Sequence, residues 1–217
     1  MNNLYIIGNN NLHKEGLLLP IDFKNSETKE NLMRAFAGES QARNRYEMAA
    51  GIAKKQNMYV VEMIFKFTAD QEKEHAEVFY KYLGECAGET INIDGSYPVD
   101  ISNDVCELLN FAHHNEYEEY SDVYKSFGDK AKEEGFENIA HTFFEIAKIE
   151  KTHGDRFLHL EELIKSNRLF VSDVKCKWMC LNCGNIIEVE QVPQMCPVCQ
   201  HDKGYFIRLE LAPYSCC

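Results

Sequence analysis

Apolar and small residues recur at helical spacing along most of the chain. Leu32, Phe36 and Ala37, then Met48, Ala49 and Ile52, mark a first segment over about 27–55, with Ser26 as its N-cap. Val61, Ile64, Phe65, Phe67, Phe79, Tyr82 and Leu83 mark a second, over about 58–84, that stops at Gly84. Residues 85–100 (ECAGETINIDGSYPVD) carry Gly and Pro and read as a connection. A third segment over about 103–134 and a fourth over about 136–166 flank Gly135. The pattern predicts two antiparallel hairpins, with turns at 56–57 and near 135, joined by one long link.

Four helices with a single long crossover are the ferritin-like four-helix bundle, so the chain reads as mainly α. Residues 1–25, with an N-N-N run and a Pro, lack the pattern and read as an N-terminal arm. The bundle is expected over 26–168. After Leu163-Ile164 the character changes, and LFVSDVKCKWMC opens a small β-like, Cys-rich module over 173–217.

Composition narrows the function classes. The chain has 217 residues, 45% of them hydrophobic, enough for a packed core. No apolar run is long enough to span a bilayer, and the N-terminus lacks the pattern of a signal peptide, so a cytoplasmic location and no membrane partner are expected. The net charge of −12 argues against nucleic acid as a partner, because phosphate needs a basic patch. Residues 175–217 are neutral, with four basic and four acidic residues, so the whole excess lies in 1–174. Such an excess is either a solvated surface or a set of inward carboxylates neutralised by a cation.

The register of the acidic residues favours the second reading. Glu72 and His75 form Glu-x-x-His in the second segment, and Glu150 and His153 form it in the fourth. Glu39 precedes Glu72 by 33 residues, and Glu116 precedes Glu150 by 34. Equal offsets from the turn of an antiparallel hairpin place these groups at one height. One Glu from each of two helices plus two Glu-x-x-His pairs is the ligand set of di-iron and di-manganese carboxylate bundles. Carboxylates bridge two cations and offset their charge, while imidazole leaves positions open for substrate. The neighbours are apolar or small (Ala35, Phe36 and Ala37 before Glu39; Phe143 to Ile149 before Glu150), as inward placement requires. Glu119 follows Glu116 by three and reads either as a seventh ligand or as part of an acidic surface with Glu118. Arg43, Arg45, Tyr46 and Tyr124 are either hydrogen-bond partners of the ligands or, for the tyrosines, plain core. His113 and His114 are adjacent and cannot both face inward. With His13, His141, His159 and His201 they read as bystanders.

The tail carries CLNCGNIIEVEQVPQMCPVC, two C-x-x-C knuckles separated by twelve residues. Cys180, Cys183, Cys196 and Cys199 can close a tetrahedral four-thiolate site, which a module this small needs for stability. Zinc there makes a structural ribbon, and iron makes a one-electron carrier. Trp178, Tyr205 and Phe206 supply an aromatic core, and Cys176, Cys216 and Cys217 fall outside the pattern.

With these motifs together the chain resembles the rubrerythrin family from about residue 26 to 212. The resemblance rests on AGESQARNRY at 37–46, ADQEKEHA at 69–76, NEYEEYSDVY at 115–124, IEKTH at 149–153, and WMCLNCG with CPVC in the tail. It implies a bundle followed by a rubredoxin-like domain, and a non-haem di-iron peroxidase that reduces hydrogen peroxide to water in oxidative-stress defence. In that pattern Glu39, Glu72, Glu116, Glu119, Glu150, His75 and His153 ligate the di-iron centre, with Glu119 and His75 as alternative ligands of one iron. Cys180, Cys183, Cys196 and Cys199 hold a single iron. The family pattern further implies electrons from NADH through a separate reductase or rubredoxin, and a homodimer packed head to tail. Three other readings stand beside it: a ferroxidase or iron-handling protein, a zinc-ribbon interaction protein, and a peroxide or oxygen sensor.

Overall fold

The computed structural model describes residues 21–212. The fold begins with α1 (Glu27–Lys55), whose N-cap Ser26 accepts the Lys29 amide at 3.1 Å. α2 (Tyr59–Tyr82) returns antiparallel to it through a turn in which Asn57 takes a left-handed φ of 58°. A long connection then leads to α3 (Val105–Glu118), which runs through a π-helical stretch at Glu119–Val123 into α4 (Tyr124–Glu133). Gly135, at φ 89°, turns the chain into α5 (Glu137–Lys165). The two hairpins expected from the periodicity are present. The third segment differs from the expectation in one respect, because its helix is interrupted where Glu119 stands.

Two apolar cores fill the bundle. One holds Ala42, Tyr46, Phe65, Ala69, Ala112 and Phe157. The other holds Ala35, Phe79, Tyr124, Phe143 and Ala147. On α1, α2 and α5, and between Ala112 and Tyr124 on the third segment, a buried glutamate sits between a residue of one core and a residue of the other. A polar layer therefore separates the two, and its members are Glu39, Glu72, Glu116 and Glu150.

The C-terminal part is a three-stranded antiparallel sheet of β1 (Val171–Cys180), β2 (Ile186–Gln191) and β3 (Phe206–Arg208), in the order β2-β1-β3. Trp178 in the central strand is fully buried and donates its indole N–H to Val189 O at 3.0 Å. This module rests on the α1–α2 turn. Tyr205 stacks on Tyr59 with ring centroids 4.1 Å apart, and Ile207 packs on Val60. Gly204 approaches the Asn57 carbonyl so closely that a Cβ there would collide with it.

Candidate metal centres

Glu39 on α1, Glu72 and His75 on α2 and Glu150 on α5 bring one ligand atom each to within 4.8 Å of one another. Glu72, Glu116 on α3, Glu150 and His153 form a second such group. Glu72 and Glu150 belong to both, so the two groups share two carboxylates and form one compact cluster. The imidazole rings of His75 and His153 lie nearly parallel, 5.6 Å apart, across it. His75 Nδ1 is 2.9 Å from Glu150 and 3.0 Å from Glu72, and His153 Nδ1 is 2.9 Å from Glu150 and 3.0 Å from Glu72.

The donor set fits a pair of cations. Nine buried side-chain N and O atoms of Glu39, Glu72, His75, Glu116, Glu150 and His153 have no aligned hydrogen-bond partner. Orphans of this kind are costly, and they are concentrated here rather than scattered through the described residues. The four shared-layer carboxylates carry −4, which two divalent cations cancel. In the ion-free chain protons take the cations' place. Burial pulls the His153 imidazolium down, but Glu116, Glu150 and Glu72 outweigh it and raise its pKa to about 12. His75 is raised to about 10, with Glu150 and Glu72 overcoming burial. Burial, and then Glu72, push Glu116 up to about 8. Glu150 faces both imidazoles, which overcome its burial and bring it down to about 2.

Two tyrosines orient the cluster. Tyr124 donates to Glu39 Oε1 at 2.5 Å, and Tyr46 donates to Glu116 Oε1. Arg43 instead pairs with Glu47 on an exposed face at 3.2 Å. Glu119 joins neither group. It stands at the start of the π-helical stretch, half-buried, and its carboxylate would approach a Cβ at Gly38 to 4.0 Å. π-helical turns gather at functional sites, and this one begins three residues after Glu116. His113 Nδ1 donates to Gly154 O (3.0 Å), outside the cluster.

Three contributors were not anticipated. Asp100 pairs with Arg45 and accepts from Asn115 Nδ2 at 2.7 Å, and Tyr97 donates to Arg34 O at 3.0 Å. Asp100 and Tyr97 belong to the Gly- and Pro-bearing connection, whose sequence has no period to mark them.

The four tail cysteines form a third group within 4.8 Å. Cys180 and Cys199 sulfurs are 3.7 Å apart, as are those of Cys183 and Cys196. That is far too long for a disulfide, at about 2.0 Å. It matches the edge of a tetrahedron with metal–sulfur bonds of about 2.3 Å, which is about 3.8 Å. The knuckles are built by their turns. Gly184 N–H donates to Cys180 O at 2.8 Å and Gln200 N–H to Cys196 O at 3.0 Å, with Gly184 at φ 75° and Gln200 at φ 61°. Burial pushes the Cys180 thiol up to about 12, while the His201 backbone N–H draws Cys199 down to about 6. Candidates for a di-iron carboxylate–histidine site and for a rubredoxin-type four-cysteine site are thus both present.

Comparison with known proteins agrees with this pairing. The model of the family described as Rubrerythrin matches residues 30–161, and that described as Rubrerythrin, rubredoxin-like domain matches 178–207. Rubrerythrin of Clostridium perfringens is 43% identical over 184 residues, covering 84% of this chain and 94% of that protein. Rubrerythrin of Nitratidesulfovibrio vulgaris is 42% identical over 183 residues, again 84% and 94%. A solved structure of nigerythrin in a mixed-valence state superposes with a TM-score of 0.57 at 27% identity, covering 85% of this chain and 90% of that one. The bacterioferritin of Desulfovibrio desulfuricans, at 23% identity and the same TM-score of 0.57, shares the bundle fold. The chain belongs to the rubrerythrin family.

Proposed function

We propose that the protein is a peroxidase that reduces hydrogen peroxide to water at the carboxylate–histidine cluster and is reloaded with electrons through the four-cysteine site. The observation that carries this reading is the presence in one chain of two kinds of candidate metal site. One is a carboxylate cluster suited to a cation pair, and the other is a thiolate site suited to one-electron transfer. Two iron ions, when bound, supply the two electrons that cleave the peroxide O–O bond. The chain's own residues do the rest. Glu39, Glu72, Glu116, Glu150 and His153 hold the pair, and His75 and Glu119 serve as alternative ligands of one ion. Tyr46 and Tyr124 keep Glu116 and Glu39 oriented through their hydroxyl protons. Cys180, Cys183, Cys196 and Cys199 hold the electron-carrying iron.

A separate reductase or rubredoxin, fed by NADH, is the proposed donor, acting in the cytoplasm. The proposed assembly is a head-to-tail homodimer in which one chain's thiolate site serves its partner's cluster. What supports this is distance. The small domain rests on Asn57, Tyr59 and Val60. Glu72 lies thirteen residues beyond Tyr59 on α2, about 20 Å away at 1.5 Å per residue. Electron tunnelling weakens steeply over such a gap.

The test uses anaerobically purified protein. Iron and zinc are counted per chain, the protein is reduced, and one equivalent of peroxide is added while the iron–thiolate colour is followed. Three irons per chain, with the colour returning faster under peroxide than under air, is the expected result. Zinc in the tail would turn the reading to a ribbon protein, and faster oxidation by air would turn it to an oxidase.

A further inference from the structure

A cavity of about 260 Å³ lies between α1, the Gly95–Pro98 part of the long connection and the π-helical stretch. Glu119 lines it, and its carboxylate feels the charges of Glu116, Glu150 and Glu72. A water occupies about 30 Å³ in the liquid, so hydrogen peroxide fills only about a quarter of this space. Ala35, Tyr97, Pro98, Val123 and Phe127 give it an apolar wall, while Arg34, Arg45, Asn115, Glu118 and Asp122 are among its polar lining. A passage for peroxide alone has no use for such a wall. Ligand pockets are apolar chambers with a few polar groups, and their usual size range starts near 300 Å³.

The cavity is also preformed, because its roof is pinned on both sides. Before Tyr97, Asp94 accepts from Arg34 Nη2 at 2.6 Å, and Tyr97 itself donates to Arg34 O at 3.0 Å. After it, Asp100 is held by Arg45 and by Asn115. Gly38 forms part of the floor, and a Cβ there would stand 3.7 Å from the Tyr97 ring. Its absence keeps the space between ring and helix open.

We propose that this cavity binds the organic part of an alkyl or aryl hydroperoxide, so that organic hydroperoxides are a second substrate class for the cluster. The inference rests on the peroxidase reading above. The O–O bond of ROOH breaks, and two electrons and two protons convert it to ROH and water. The electrons come from the reduced cluster and are replaced through the four-cysteine site by the external reductant. The R group stays against Tyr97 and Phe127 while the hydroperoxide reaches the Glu119 side.

Cumyl alcohol, the product of cumene hydroperoxide, is a redox-inert probe of the cavity. Calorimetric titration of the iron-loaded, oxidised protein is expected to show saturable binding. Tyr97→Ala, a change in a surface connection, should weaken that binding at least five-fold. Tyr97→Phe keeps the ring and should stay within two-fold. In stopped flow on reduced protein, the ratio of the cumene hydroperoxide rate to the hydrogen peroxide rate should fall at least five-fold in Tyr97→Ala. Wild-type protein that reduces hydrogen peroxide but neither binds the alcohol nor reduces cumene hydroperoxide overturns the proposal. So does a rate ratio or an alcohol affinity that Tyr97→Ala leaves unchanged. Inactivity toward both peroxides overturns the peroxidase reading itself, and this one with it.

Discussion

A buried carboxylate is among the least favourable groups a fold can contain, and this bundle places four of them in one layer. Their cost makes them legible in the sequence. Glu39, Glu72, Glu116 and Glu150 each interrupt an apolar stripe, and the equal spacing in the two hairpins marks them as one set. The protonation pattern yields a first prediction. In the ion-free chain His75 and His153 titrate near 10 and 12, so both imidazoles are protonated at neutral pH. A metal ligand must be the neutral imidazole, so ion binding expels those protons. Glu116, raised to about 8, also holds its proton at pH 7, so iron uptake should release at least about three protons per chain there and weaken steadily as pH falls. Anaerobic calorimetry of ferrous titration in two buffers of different ionisation enthalpy measures the number. A release near zero would mean that the imidazoles are not ligands. Glu119 was less legible for a physical reason. Three-residue spacing puts it on the Glu116 face of an α-helix, and the π-helical turn that begins at it leaves no periodic signature.

At the scale of elements, the helices followed from periodicity because each buries one stripe against its hairpin partner. The long connection did not, since its contacts are made by single polar side chains, such as Asp94 and Asp100, that carry no period. The same limit hid a cap supplied from another helix. Just past the end of α4, Glu134 accepts the Glu27 and Thr28 amides at 3.0 and 2.8 Å and the Thr28 hydroxyl at 2.6 Å. These are free donors at the N-terminus of α1, so one carboxylate ties the start of the first helix to the turn before the last. Partial burial pushes the Glu134 carboxyl up, but the Thr28 and Glu27 hydrogen bonds outweigh it and hold it below the usual range. A group depressed in the folded state stabilises above its ordinary pKa, and that stabilisation is lost as pH falls through the folded value. Glu134→Ala should cost about 1 kcal/mol at pH 7, a typical loss for a cap. The difference from wild type should shrink as pH falls below the ordinary carboxyl value of about 4.3 and on through the lower folded one. A series of urea melts from pH 7 down to pH 3 measures it, and a penalty that does not change with pH would assign the effect to packing.

Across the whole molecule, the question is how the small domain and the bundle cooperate. The contact at Gly204 is tight enough that Gly204→Ala should release the domain from the α1–α2 turn. The four-thiolate spectrum should remain, because the metal and the Trp178 core hold that module together. Limited proteolysis should then cut near 166–170 faster than in wild type, and an unchanged cleavage rate would show that the turn yields instead. The docking has a second consequence. It seats the small domain on α2 at Tyr59, about three to four helical turns from Glu72 by the rise along that helix. On the head-to-tail proposal, reloading comes from a second chain. This is testable with two inactive variants, Cys199→Ser, which breaks the thiolate site, and Glu150→Gln, which breaks the cluster. Random pairing on co-expression makes half of the dimers mixed. In a mixed dimer the intact cluster sits on one chain and the intact thiolate site on the other. Transfer between chains gives such a dimer one working pair of its two, so the mixture should recover about one quarter of wild-type peroxidase activity per chain. Transfer within a chain leaves every pair broken and gives none. Dilution separates transfer inside a dimer from encounters between dimers, since only the latter loses specific activity as concentration falls. Recovery near one quarter, independent of concentration, would place the electron path across the interface. An inactive mixture would confine it to one chain, and the small domain would then have to leave its seat on the α1–α2 turn to deliver each electron.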